Sequence, residues 1–166
     1  MRKLLIGGAL TALVVALSAC GSSSGSAATE AALHRQADVY AIGQIEKKFH
    51  ESMAKKDVDE MMSLWTTNAT FTYGPGLTAT GKDEIRAIWL KGKAFASDTH
   101  WQADHPAYKL VVTVNGDRGT LHFECHFIDI QTRKVAAVTA GDFDVARING
   151  RWLITRMVGS TTELTI

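Results

Sequence analysis

Apolar residues recur at two different spacings along this chain, and the change of spacing divides it into two halves. Residues 30–55 have apolar positions three and four apart, which predicts one helix with a buried face formed by Ile42, Ile45, Phe49 and Met53. On that helix we expect Glu46, Lys47 and Lys48 to face largely outward.

Two shorter helices and a strand are predicted next. Asp57 begins an Asp-x-x-Glu segment, which has the spacing of a capping box and predicts a second helix. Residues 69–73 are β-branched and aromatic, so they predict a strand, which the Gly-Pro-Gly at 74–76 ends. Thr80 begins a Thr-x-x-Asp segment, which predicts the cap of a third helix with Ile85, Ile88 and Trp89 on one side.

From about residue 108 the apolar period changes to two. This alternation predicts four strands, at residues 109–115, 118–130, 135–148 and 151–158. Asn149-Gly150 between the last two is a strong hairpin signal. Helices followed by an antiparallel meander predict an α+β fold, with three N-terminal helices packed on one face of a curved antiparallel sheet.

The first twenty residues have the features of an export signal. Arg2 and Lys3 precede an uncharged stretch at 4–17, which is too short to cross a bilayer as a helix. The segment 17–20, Leu-Ser-Ala-Cys, resembles the lipobox of bacterial lipoproteins. The resemblance implies a signal peptide at 1–19 and a lipid on Cys20 that anchors the protein to the extracytoplasmic side of a cell membrane. A Gly/Ser/Ala tether at 20–30 and one domain at 31–166 would follow. The alternative is an ordinary secretory signal with an incidental cysteine.

Charge and cysteine content exclude several classes of function. Without Arg2 and Lys3, sixteen basic residues remain against seventeen acidic ones, so no basic surface for nucleic acid is expected. With Cys20 assigned to the lipid, Cys125 has no intramolecular disulfide partner. The sequence contains no Cys/His spacing typical of a metal site and no phosphate-binding glycine loop. We therefore predict neither a metal nor a cofactor.

Three short motifs together resemble the SnoaL-like branch of the nuclear transport factor 2-like superfamily. They are the Lys-Asp-Val-Asp turn at 56–59, Gly81 four residues before Ile85, and Gly-Arg-Trp-Leu-Ile at 150–154. The resemblance covers about residues 35–160. It implies a cone-shaped α+β barrel with an apolar pocket for a small molecule. Members of this superfamily include dehydratases, isomerases, cyclases and epoxide hydrolases, as well as proteins without catalysis.

Scytalone dehydratase, which resembles this branch, uses a tyrosine after the first strand, two histidines and an aspartate near the first helix. Tyr73 matches the tyrosine, and His105, eleven residues before the Gly116 turn, matches a histidine typical of the branch. His100 is the competing candidate. The corresponding stretch of the helix, residues 52–55, has no carboxylate. The resemblance therefore implies Tyr73 with His105 or His100 as an acid–base pair. The alternative is that Tyr73 lines the core while His105 bonds a backbone carbonyl.

Several other side chains are assigned by their position in such a fold. The ligand pocket is expected to be lined by Trp65, Trp89, Trp101 and Phe143. His122, Glu124 and His126 share the outer face of a strand, opposite Leu121, Phe123 and Cys125. That outer face is open to solvent, to a homodimer partner or to a metal.

The predicted function is that of a membrane-anchored lipoprotein that binds a small, largely apolar molecule. An acid–base enzyme of dehydratase or isomerase type and a non-catalytic dimeric interaction module are the two alternatives.

Overall fold

The computed structural model describes residues 23–104 and 106–164, with side chains from residue 26 onward. The predicted signal peptide, Cys20 and His105 lie outside the described residues. The expectations for them therefore stay predictions.

Three α-helices precede most of the sheet, as the sequence predicts. They are α1 (Ser23–Lys55), α2 (Val58–Ser63) and α3 (Lys82–Lys91), and a single 3₁₀ turn (Lys93–Phe95) follows. Helix α1 begins inside the stretch expected to be a tether, and the side chains of residues 26–37 are exposed.

Local hydrogen bonds at the helix starts confirm one predicted cap and correct another. The Asp57 carboxylate accepts a bond from the Glu60 N–H at 2.8 Å, as a capping box requires. At α3, however, the cap residue is Gly81, which has φ 87° and no side chain to donate or accept. The prediction that Thr80 caps this helix is wrong, because the cap position lies one residue later. The Thr80 backbone N–H donates to the Glu84 carboxylate at 2.9 Å.

The described residues form seven strands in one curved sheet that does not close. The strands are β1 (Trp65–Tyr73), β2 (Leu77–Thr80), β3 (Trp101–Ala103), β4 (Lys109–Asn115), β5 (Arg118–Asp129), β6 (Lys134–Ile148) and β7 (Arg151–Glu163). Their order is β2-β1-β7-β6-β5-β3, with β4 also paired to β5. All neighbours are antiparallel except β1 and β7, which run parallel. The α+β prediction is confirmed, with this one parallel pair added.

The long hairpins follow the predicted turns. Asn149 and Gly150 both have positive φ, 50° and 77°, which is the conformation of the tight turn that matches the twist of a hairpin. Ile148 and Arg151 pair directly on either side of it. From there Trp152 and Ile154 alternate into the core, and the Trp152 indole reaches Asp38 of α1 at 3.3 Å.

The core lies between α1, α2, α3 and the concave face of the sheet. The predicted apolar face of α1 is buried, and so is the inner face of β5 with Leu121, Phe123 and Cys125. Glu46 is a correction, because only 2% of this residue is exposed and it does not face outward as predicted. On the opposite face of β5, His122, Glu124 and His126 are partly exposed.

Candidate functional site

A cavity of about 390 Å³ opens between α1, α3 and the concave face of the sheet. This volume lies within the range of small-molecule sites. Seven aromatic side chains line it: Phe49, Phe71, Tyr73, Trp89, Trp101, Phe123 and Phe127. The cavity can therefore remove a flat apolar molecule from water.

The aromatic wall is held by contacts among its own rings. Phe71 stacks on Tyr73 with centroids 5.8 Å apart and planes 8° from parallel. The Trp89 ring meets Phe71 edge to face at 5.4 Å and Phe49 at 5.3 Å. Such pairs stabilise each other beyond their buried area, so the wall is formed before any molecule enters.

A short chain of hydroxyl groups crosses this wall where β1, β7 and β6 lie side by side. The Tyr73 hydroxyl hydrogen-bonds to Thr161, whose hydroxyl pairs with that of Thr139 at 2.6 Å. The register places Thr139 opposite Thr161 and Tyr73 opposite Gly159. A Cβ at Gly159 would lie 2.7 Å from the Tyr73 ring, so the glycine lets the ring lie flat against β7.

A second polar group in the cavity wall was not predicted from the sequence. His50 of α1 lines the cavity, and its Nδ1 lies 2.7 Å from Oε1 of Glu46, one helical turn earlier. Its Nε2 lies 3.5 Å from the sulfur of Cys125 on β5. Burial raises the pKa of the Cys125 thiol to about 12, so this sulfur is protonated at neutral pH. The result is a buried row of carboxylate, imidazole and thiol.

Charged side chains line the cavity toward solvent. Lys93 pairs with Glu163 at 2.6 Å, and its ammonium group also lies 4.7 Å from the centre of the Trp101 ring. Both members of the pair are more than half exposed, so water screens the attraction between them. This pair joins the 3₁₀ turn to the end of β7.

The predicted pocket residues divide into two groups. Trp89 and Trp101 line the cavity. Trp65 and Phe143 do not, which corrects their assignment to the pocket: both are buried in the core, where their ring centroids lie 6.5 Å apart. Trp65 packs against Phe71, which stands between it and the cavity.

The predicted catalytic residues are also separated. Tyr73 is in the cavity wall, and His105 lies outside the described residues. His100 is not among the residues that line the cavity; its Nδ1 faces the Asp129 carboxylate at 3.0 Å, next to the turn after β5. The described part of the chain thus does not bring Tyr73 and His100 together.

The outer face of β5 carries a dense hydrogen-bonded network. His122 lies 2.8 Å from Asp142 and 3.1 Å from Glu124, while His126 lies 2.9 Å from Asp104. Hydrogen bonds to the Glu124 carboxylate lower its pKa to about 2. The bond from Lys109 has the largest effect, followed by those from Tyr108 and His122. Among the described residues, no three His, Cys, Asp or Glu side chains are grouped so that they could hold a metal ion.

The fold and the site together define the class of this protein, which is an α+β cone with an apolar cavity. Residues 34–158, which are more than half of the chain, match the family model of the SnoaL-like domain, so the chain belongs to this family. No curated protein matches the sequence. Within the described residues, no helix is long and apolar enough to cross a membrane.

Solved structures support the same fold. A nuclear transport factor 2-like protein with a cystatin-like fold from Novosphingobium aromaticivorans is 16% identical, with a TM-score of 0.67 over 88% of this chain and 94% of that one. A ketosteroid isomerase-like protein from Erwinia carotovora atroseptica is 14% identical, with a TM-score of 0.60 over 76% of this chain and 98% of that one. At these identities the similarity establishes the fold alone.

Proposed function

We propose that this chain is a membrane-anchored extracytoplasmic lipoprotein whose SnoaL-like domain binds a small, largely apolar molecule. The observation that carries the proposal is the cavity of about 390 Å³ with its wall of packed aromatic rings. Sites for small molecules combine such walls with a few polar groups that fix orientation. Here the Tyr73–Thr161–Thr139 hydroxyls and His50 are those groups.

Binding can be tested with a simple apolar probe and the protein's own methionines. Met53 and Met157 line the cavity, whereas Met61 and Met62 are buried elsewhere in the core. Added 2-methylnaphthalene should shift the methyl NMR signals of the first pair and leave those of the second pair in place. If the first pair does not shift, the proposed function is wrong.

A matched pair of substitutions shows whether the probe occupies this cavity. Ala94 lines the cavity, while Leu90 at the end of α3 is 53% exposed and does not. Ala94→Phe should weaken binding at least about tenfold, equivalent to ~1.4 kcal/mol, because the new ring fills the space. Leu90→Phe should leave affinity unchanged. Equal affinities in the two variants would place the probe elsewhere.

The anchor is supported by the Leu-Ser-Ala-Cys segment at 17–20. Cys20→Ala should abolish incorporation of labelled fatty acid and block cleavage of the signal. The matched control is Cys125→Ala, which removes the other cysteine and should leave labelling intact. Wild-type labelling of the Cys20→Ala variant would refute the lipoprotein proposal.

An acid–base isomerase is the second candidate function. The observation that favours it is the Tyr73 hydroxyl, which lines the cavity and can donate to a developing oxyanion. A bicyclic β,γ-unsaturated ketone tests it, because its conversion to the conjugated isomer is followed by ultraviolet absorbance. Tyr73→Phe and His105→Ala should each reduce turnover by about 10²–10⁴-fold. Absence of turnover by the wild type would leave the binding function alone.

A further inference from the structure

His50 is the polar side chain most deeply set into the cavity wall. It is 3% exposed and lies between two aromatic rings, with ring centroids 5.6 Å from Phe49 and 5.0 Å from Phe123. Both contacts are edge to face, at 86° and 88°. These two rings restrict rotation of the imidazole and hold its orientation.

Glu46 occupies one nitrogen of this imidazole. Nδ1 lies 2.7 Å from Oε1, so the hydrogen bond to the carboxyl group holds that edge of the ring. Nε2 lies on the other edge and is left for another partner. A hydroxyl group both donates and accepts, so it can pair with Nε2 whether or not that nitrogen carries a proton.

The described partner of Nε2 is a weak one. Cys125 Sγ lies at 3.5 Å, and a thiol S–H is a poorer donor than an alcohol or phenol O–H. A molecule in the cavity with a hydroxyl group could therefore take the place of the thiol. The exchange replaces a weak hydrogen bond with a stronger one.

The other polar groups of the wall already have hydroxyl partners. The hydroxyls of Tyr73, Thr161 and Thr139 are hydrogen-bonded to one another. Within the described part of the chain, Nε2 of His50 has only the thiol of Cys125, at 3.5 Å. A ligand hydroxyl would therefore improve the hydrogen bonding of His50.

From this geometry we propose that His50 determines specificity by forming a hydrogen bond, through Nε2, with a hydroxyl group of the ligand. The preferred ligands are hydroxylated aromatic or alicyclic molecules, such as phenols and compact ring alcohols. This inference rests on the proposed function, since it assigns the chemistry of the same cavity.

Two probes of similar shape test the proposal: 2-naphthol carries a hydroxyl where 2-methylnaphthalene carries a methyl. His50→Asn is the informative variant, because its side-chain N–H can still donate to Glu46 while the position of Nε2 is lost. The preference for 2-naphthol over 2-methylnaphthalene should fall about three- to tenfold in this variant, the usual effect of one hydrogen bond. Leu90→Phe, at an exposed position outside the cavity, is the control and should retain the preference.

A measurement on the wild type guards against a variant that does not fold. The ¹⁵N resonance of His50 Nε2 should move on addition of 2-naphthol and stay in place with 2-methylnaphthalene. An unmoved Nε2 resonance with 2-naphthol bound, or an unchanged preference in folded His50→Asn, would overturn the inference and leave the binding function standing. If neither probe shifts Met53 and Met157, the binding function itself fails.

Discussion

Glu46 and His50 form a buried pair whose energetics can be measured by a double-mutant cycle. Both residues are at most 3% exposed, and their side chains meet at 2.7 Å. Glu46→Leu leaves the imidazole without its hydrogen-bond partner, and His50→Leu leaves a carboxyl group without its partner in an apolar core. Removal of one partner from a buried pair costs about 3–5 kcal/mol. This is a large part of the ~5–15 kcal/mol that stabilises an ordinary domain.

The double variant should be more stable than the sum of the single effects predicts. With both side chains replaced by leucine, no polar group is left unpaired, and exchange of a buried pair for apolar groups is often neutral. We expect a coupling of at least about 2 kcal/mol between the two sites, within the range for residues in contact. Urea unfolding of the four proteins, followed by far-ultraviolet circular dichroism, measures the cycle.

An exposed pair on the same helix provides the control. Lys47 and Glu51 have the same spacing of four, but their charged atoms are 3.8 Å apart and their side chains are 47% and 35% exposed. Substitution of either by alanine should change stability by no more than ~1 kcal/mol. If the Glu46 and His50 effects add to within about 0.5 kcal/mol, the two residues do not act as a buried pair and the reasoning fails.

Three further predictions concern the sheet. Gly141→Ala should lower the free energy of unfolding by about 1–3 kcal/mol, because a Cβ there would lie 2.4 Å from the buried Phe123 ring. Urea unfolding measures this change, and an unchanged midpoint would show that the ring can move. Cys125 is fully buried, and burial raises the pKa of its thiol to about 12. A thiol reagent at pH 8 should therefore react with it only as the protein unfolds. Fast reaction of the folded protein would contradict the burial of Cys125. The pKa of Glu124 falls from 4.5 to about 2 on folding, so its stabilisation is present above pH 4.5 and is lost as the pH falls toward 2. Glu124→Gln should flatten this part of the stability–pH curve, and a curve identical to that of the wild type would rule the network out as its cause.

The long strands and their hairpins were predictable because their signals are local. The alternating pattern at residues 109–115 reproduces β4, and the turn at Asn149-Gly150 gives the register of β6 and β7. Strands β2 and β3 were not predicted. They contain four and three residues, which is too short for a period of two to be recognised. β3 in addition depends on pairing with a distant strand, since Trp101 lies opposite Asp129 of β5.

Glu46 is buried although its charge favours an exposed position. Its position in the helical period is that of a buried residue, four after Ile42 and three before Phe49. The signal that could have identified it is His50, four residues further on, since a carboxylate and an imidazole one turn apart can satisfy each other in a core. Periodicity was a better guide here than residue type.

The position of the buried carboxylate also limits which mechanism this cavity can support. The stretch that corresponds to the aspartate of scytalone dehydratase, residues 52–55, ends in exposed Ala54 and Lys55. Glu46 lies eight residues before Ala54, which is about 12 Å along a helix, so it cannot occupy the same point of the cavity. Glu46 is linked to the cavity through its hydrogen bond to His50, which lies one helical turn nearer to Ala54. An acid–base reaction at this point of the wall would therefore involve the His50 imidazole, held by Glu46, rather than a carboxylate alone.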